Sequence, residues 1–247
     1  MSNNKVVITS DGSHTLFSHK YNQHFHNTED GSLSEALNKH IIPAFTFHTN
    51  KNELNILDIC YGIGYNTLAT IFYVVTNNFN IKLNIYSPEL DFDLIKSLKD
   101  FEYPQEFSSF KDVIFQLSQN QKFNSENLNI EIFIGDARQY LKNLPINFFD
   151  IIYQDAFSSD VNFELWTKEF FDDLYNTSKQ NSILTTYAIS TNIRLSLYEA
   201  GFFIYELRPT KRKITLAFKQ KQNIIGKFID MKLKKERNKS AHALYDN

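Results

Sequence analysis

The chain has 247 residues, a formal net charge of −2 and 42% hydrophobic residues, enough for one large α/β domain with a lobe or tail and a sizeable core. No basic field spans the whole surface, so a nucleic-acid partner requires a local patch. The single cysteine, Cys60, excludes an intramolecular disulfide and a cysteine-cluster metal site, and the absence of an apolar leader or of an apolar run near 18 residues points to a soluble, cytoplasmic protein without a membrane segment.

In chain order, Asp11-Gly12 joins two strand-like runs, KVVITS and HTLFSHK, as a hairpin, because both turn residues tolerate positive φ. GSLSEALNKHIIPAF follows with Leu33, Leu37 and Ile41 at helical spacing; Ser32 or Ser34 is the expected cap and Pro43 the expected end. From Leu54 the pattern becomes strand, glycine turn and helix, through NILDIC and NTLATIFYVVTNN. KLNIYSPE reads as the second strand, and two helices follow around Leu94, Ile95, Leu98 and around Val113, Ile114, Leu117, separated by Pro104. NIEIFIGDARQYLKNL gives a third strand and a short helix, FFDIIYQDAF a fourth strand, and SILTTYAI another. A helix from about Thr191 to Ala200 closes at Gly201. FFIYELR and KITLAFK, joined by PTKRK, form an antiparallel hairpin at the sheet edge. The run KLKKERNK, Lys232 to Lys239, reads as a solvated tail or helix. The expected organisation is an N-terminal hairpin and helix extension over 1–50, a main α/β domain over 51–220 and a basic tail over 221–247.

A glycine turn between strand and helix brings backbone N–H groups and a helix N-terminus against a nucleotide-like ligand. Here the frame is Asp58-x-Cys60-x-Gly62-x-Gly64 followed by Tyr65 and Asn66, so the dinucleotide spacing G-x-G-x-x-G is missing. An acid ending the strand repels a pyrophosphate and attracts an ammonium group, which favours S-adenosylmethionine. A turn that serves only strand-to-helix geometry is the alternative. Glu89 ends the second strand, where a carboxylate accepts both hydroxyls of a ribose or merely caps the next helix. Asp136 ends the third, suited to an adenine amine or to an N-cap. Asp155 ends the fourth. Four acids at successive strand ends of an open parallel sheet line one crevice.

With these residues in place the chain resembles the MnmC-type methyltransferases, which form 5-methylaminomethyl-2-thiouridine at the tRNA wobble position. The resemblance rests on DGSHTLFS, NQHFHNTEDGSLSEAL, LDICYGIGYNTLAT, GDARQYL, DIIYQDAFSSDVNFELWTKEFF and TTYAISTNIRLSLYEAGF followed by RPTKRK. It implies a Rossmann-like class I methyltransferase fold with a mostly parallel sheet, and the cofactor S-adenosylmethionine held by Asp58, Gly62, Gly64, Asn66, Glu89, Asp136 and Asp155. It implies tRNA as partner and a stand-alone methyltransferase without the oxidase half of fused members; a monomer is expected, and no metal, since the His24 and His26 pair has no third ligand nearby. Cys60 and Ala156 stand where the family usually has glycine. Cys60 as a nucleophile is the sharper alternative to a small buried residue beside a turn.

Methyl transfer to a primary amine requires a neutral nitrogen and alignment, and Asp155 is the residue expected to hold that amine. Phe157 and Trp166 are expected to flank an extruded base, with packing under the loop as the alternative for Trp166. Tyr21, His24 and His26 are placed to form a lid, and Lys211, Arg212 and Lys213 to contact phosphates, together with the 232–239 run. Two competing functions are a methyltransferase or aminopropyltransferase for a small amine and a non-catalytic cofactor- or RNA-binding module.

Overall fold

The computed structural model describes residues 4–223 and 226–246. The opening hairpin forms as expected: β1 (Asn4–Ile8) pairs antiparallel with β2 (His14–Ser18), and a two-residue β3 (Gln23–His24) adds to β2. The helix that follows is neither capped nor ended as its sequence suggests. α1 (Ser32–Ala36) starts after Gly31 at φ +85°, with Ser32 already inside. Its free amides are met by the hairpin tip: Asp11 Oδ2 accepts from Ser34 N at 2.9 Å and Ser13 Oγ from Ser32 N at 3.1 Å. The helix then runs through a π turn (Leu37–Ile41) into α2 (Ile42–Phe47), so Pro43 lies just past the π turn and does not end the helix.

Strand and helix alternate thereafter. β4 (Glu53–Ile59), α3 (Tyr65–Thr76) and β5 (Lys82–Glu89) lead into α4 (Phe92–Ser97), two short 3₁₀ turns, α5 (Lys111–Asn120) and the short β6 (Lys122–Asn124). β7 (Leu128–Ile134), α6 (Ala137–Lys142) and β8 (Phe149–Gln154) follow. α7 (Lys168–Thr177), absent from the sequence reading, is capped by Thr167, whose Oγ1 accepts from Phe170 N at 3.3 Å. β9 (Ser178–Thr186), α8 (Thr191–Glu199), β10 (Phe203–Leu207) and β11 (Ile214–Phe218) complete the alternation.

The nine-stranded sheet has the order β12-β10-β11-β9-β8-β4-β5-β7-β6, where β12 is Lys227–Phe228. β5, β4, β8 and β9 pair parallel with their neighbours in the centre, as do β5 and β7, and β11 runs antiparallel between β9 and β10. Alternate strand residues feed the two faces. Leu54, Ile56 and Ile85 join a core with α1–α5, and Leu57, Ile59, Ile152 and Leu184 one with α6–α8. Each such fully buried side chain contributes roughly 1.5–3 kcal/mol.

The segment after Gln220 is more than a solvated tail. α9 (Met231–Arg237) buries Met231, and Ala241 and Ala243 enter the second core. Lys168 N donates to Leu244 O at 2.7 Å, and Arg138 pairs with Asp246. The basic run itself stays exposed. No helix among the described residues is long and apolar enough to cross a membrane.

Candidate active site

The chain passes from β4 to β5 on one side and later returns to β8 on the other, so the C-terminal ends of β4 and β8 flank the switch point at which open α/β sheets hold ligands. A cleft of about 1250 Å³ opens there. The turn after β4 forms its floor, the acids at the strand ends its walls, the Lys20–Thr28 segment its roof and the β10–β11 hairpin its rim.

The turn is built on three left-handed residues, Cys60 (φ +66°), Gly62 (+56°) and Gly64 (+77°). Gly64 is the N-cap of α3, and a β-carbon there would lie 2.6 Å from Tyr61 Oη. Gly62 N donates to Glu89 Oε2 at 2.8 Å, and a β-carbon on Gly62 would crowd the Phe25 ring at 3.2 Å. Cys60 lines the cleft, where burial and then Glu89 push its thiol well above the usual range and disfavour the thiolate.

Asp58 does not line the cleft. Its side chain is fully buried and turned toward the start of α3, where Oδ2 accepts from Thr67 Oγ1 at 2.9 Å and Oδ1 from Asn66 Nδ2 at 3.3 Å. Burial pushes its carboxyl up to about 7, the nearby Asp155 adding to this. The other hydrogen of the Asn66 amide goes to Asp155 Oδ2 at 3.0 Å. Asp155 does line the cleft, with 14% of its side chain exposed. Burial pushes the Asp155 carboxyl up, but His40, His26 and Asn66 outweigh it, so it stays below the ordinary value. His40, unmarked in the sequence reading, lies behind: Nε2 is 3.4 Å from Asp155 Oδ1, and Nδ1 is 2.8 Å from Thr185 Oγ1.

Glu89 lines the cleft; burial raises its carboxyl, against the hydrogen bonds from Asp91 N and Gly62 N. Asp136 lines it too and N-caps α6, with Oδ1 accepting from Gln139 N at 2.9 Å. Asp136 is therefore the N-cap of α6 and still borders the cleft. Phe157 packs against Tyr21 and Phe25 with ring centroids 5.1 and 5.0 Å away, forming an aromatic patch in the cleft. Trp166 is fully buried and does not line the cleft; its indole Nε1 donates to Phe157 O at 2.7 Å, so it supports the loop and cannot stack on a ligand base. Tyr21, His24 and His26 all border the cleft, His26 buried and its basicity lowered by that burial. On the rim, Arg212 is paired with Glu29 and Asp30 and Lys213 with Glu206. Lys211 has no ion pair among the described residues.

Gly62 in the cleft floor, where a β-carbon would crowd the Phe25 ring, and the carboxylates of Glu89 and Asp136 on adjacent strand ends fit S-adenosyl-L-methionine. Residues 104–220 match a family described as S-adenosyl-L-methionine-dependent methyltransferase, a stretch that includes Asp136 and Asp155. An uncharacterized protein of Methanocaldococcus jannaschii, MJ0670, is 28% identical over 87% of this chain and 59% of its own. The tRNA 5-methylaminomethyl-2-thiouridine biosynthesis bifunctional protein MnmC of Leptospira interrogans is 29% identical over 64% of this chain and 26% of its own, and that of Aeromonas salmonicida 25% over 73% and 30%. The chain thus spans a quarter to a third of these bifunctional proteins. The crystal structure of MNMC2 from Aquifex aeolicus superposes with a TM-score of 0.82 at 26% identity, covering 96% of this chain and 77% of that one. The chain is an S-adenosyl-L-methionine-dependent enzyme, similar in sequence and fold to the MnmC-type methyltransferase domains.

Proposed function

We propose that the protein methylates the primary amine of 5-aminomethyl-2-thiouridine at the wobble position of tRNA. The observation that carries this reading is the placement of Asp155. It is a half-buried, cleft-facing carboxylate, hydrogen-bonded by Asn66 and faced by His40, beside the aromatic patch of Tyr21, Phe25 and Phe157. The MnmC names of the relatives support the choice of substrate.

When bound, S-adenosyl-L-methionine supplies an electrophilic methyl group and leaves as a neutral thioether. Glu89 would hold the ribose hydroxyls and Asp136 the adenine amine, with Gly62 allowing close backbone approach. Asp58 and Asn66 act from beneath the turn, Asp58 by orienting Asn66. Asp155 accepts an N–H of the substrate amine and takes the proton that an ammonium must lose before its nitrogen lone pair can form the new C–N bond. Tyr21, Phe25 and Phe157 hold the extruded base by stacking. Lys211 on the rim meets a phosphate.

The test is transfer from methyl-labelled S-adenosyl-L-methionine to tRNA bearing 5-aminomethyl-2-thiouridine, beside the same tRNA with unmodified wobble uridine and a mixture of small amines. Label confined to the aminomethyl tRNA is expected. Label on small amines, or cofactor binding without any transfer, overturns the reading.

A further inference from the structure

The side chain behind Asp155 comes from the N-terminal segment. His40 lies in the π turn between α1 and α2, is fully buried and rests edge-on against Tyr153 at 5.6 Å. Its Nδ1 is engaged by Thr185 on β9. Its Nε2 has no hydrogen-bond partner and faces Asp155 Oδ1 at 3.4 Å. A nitrogen lone pair aimed at a carboxylate oxygen is repelled, so Nε2 carries a hydrogen. Two states satisfy this: a neutral ring whose Nδ1 accepts from the Thr185 hydroxyl, or an imidazolium whose Nδ1–H donates to it. The distance exceeds the roughly 2.8 Å of a formed charge-assisted bond, and such contacts tighten once substrate is in place.

The opposite edge of the same carboxylate takes the Asn66 amide, itself fixed by Asp58 and Thr67. Asp155 therefore takes a hydrogen bond from Asn66 on one side and is faced by His40 Nε2 at 3.4 Å on the other. We infer that His40 is a positioning residue for methyl transfer: its Nε2–H, fixed by Thr185, keeps the Asp155 carboxylate ionised and turned to the cleft. This inference rests on the amine-methylating reading for its kinetic consequence, but not for its electrostatic one. The other titratable and charged groups around the pair are His26, Glu35 and Lys39 from the N-terminal segment, Asp58 and Cys60 from β4 and its turn, and Tyr153 and Tyr187. Asp58 opposes ionisation of Asp155 and His26 favours it. Neither touches the edge that His40 holds.

The experiment compares His40→Leu, His40→Gln and Thr185→Val with the wild type. Each is assayed for kcat and for KM of S-adenosyl-L-methionine, for the pH profile with aminomethyl tRNA, and for the Asp155 titration in the ligand-free protein by ¹³C-aspartate NMR. His40→Leu is expected to lower kcat by about 10²-fold, the order that a misplaced group costs, and to leave KM unchanged. It is also expected to move the acid limb of the profile and the Asp155 titration to higher pH. His40→Gln, which returns an N–H to the Nε2 position, restores most of kcat, and Thr185→Val falls between. Wild-type kcat with an unmoved Asp155 titration in His40→Leu overturns the inference, as does a His40→Gln no better than His40→Leu when both melt like the wild type. If the wild type methylates no aminomethyl tRNA, the functional reading fails and the NMR titration alone decides: an upward move supports His40, none overturns it. If His40→Leu does not fold, the other two variants carry the same titration.

Discussion

Glu89 Oε2 accepts a hydrogen bond from the Gly62 amide at 2.8 Å, so the acid ending β5 is tied to the glycine turn that follows β4. Its Oε1 accepts from Asp91 N at 2.8 Å. One carboxylate thereby fixes two neighbouring loops of the cleft and still borders it. Glu89→Ala is expected to weaken S-adenosyl-L-methionine binding by about 10–100-fold, the equivalent of roughly 1.5–3 kcal/mol for hydrogen bonds to a charged group. Titration calorimetry checks this, and an unchanged dissociation constant would remove Glu89 from the cofactor site.

Cys60 occupies a left-handed backbone conformation at φ +66°, where a β-carbon costs about 1–2 kcal/mol. Glycine relieves that cost but loses roughly 0.5–1 kcal/mol through the greater freedom of the unfolded chain. Cys60→Gly is therefore expected to leave the protein about 0.5 kcal/mol more stable in urea unfolding, with cofactor affinity equal to or better than the wild type. A clear loss of stability would mean that packing of the thiol outweighs the strain.

Asp58 and Asp155 make stability depend on pH with opposite signs. Burial raises the Asp58 carboxyl from 3.8 to about 7. A raised folded-state value gives stability that is present below the unfolded value and lost as pH rises through the folded one. The loss runs from about pH 4 to 7 and is on the order of 4 kcal/mol. Asp155 lies below the ordinary value, so its contribution is present above that value and lost as pH falls through the folded one. Asp58→Asn removes the Asp58 contribution, and with it the repulsion that Asp58 exerts on Asp155. Its stability relative to the wild type, from urea unfolding at pH 5 and pH 8, is expected to be higher at pH 8; a pH-independent difference would show that Asp58 is ionised in the folded protein across this range.

The sequence places Asp58, Glu89, Asp136 and Asp155 correctly at strand ends, because buried parallel strands and the turns after them are local patterns. It does not show which way each acid turns. Asp58 is drawn beneath the floor because Asn66 and Thr67, eight and nine residues on, offer donors there. His40 is hidden for a related reason: the stripe of Leu33, Leu37 and Ile41 says nothing of a π turn, which shifts the helix face and sets an adjacent histidine against Asp155. Trp166 shows a limit of spacing arguments, since base stacking and loop support require the same residue at the same place, and only the indole bond to Phe157 O separates them. α7, by contrast, was legible, with a Thr167 cap and Phe170, Phe171 and Leu174 at helical spacing.

On the basic rim Arg212 and Lys213 have carboxylate partners, whereas Lys211 has no ion pair among the described residues. Arg212 Nη2 lies 2.6 Å from Glu29 Oε2 and its Nε 3.2 Å from Asp30 Oδ1, which ties the β10–β11 hairpin to the N-terminal segment. Lys213 Nζ lies 2.7 Å from Glu206 Oε1. A phosphate must compete with these carboxylates for Arg212 and Lys213, whereas Lys211 borders the cleft with no such competitor among the described residues. Lys211→Glu is therefore expected to weaken tRNA binding and to reduce the slope of log affinity against log salt by about 1, with S-adenosyl-L-methionine affinity unchanged. Arg212→Ala acts first on the protein, speeding hydrogen exchange in residues 26–35, at a stability cost of about 0–1 kcal/mol. Filter binding over a salt series separates the two, because an unchanged slope in Lys211→Glu would take the RNA backbone off this rim.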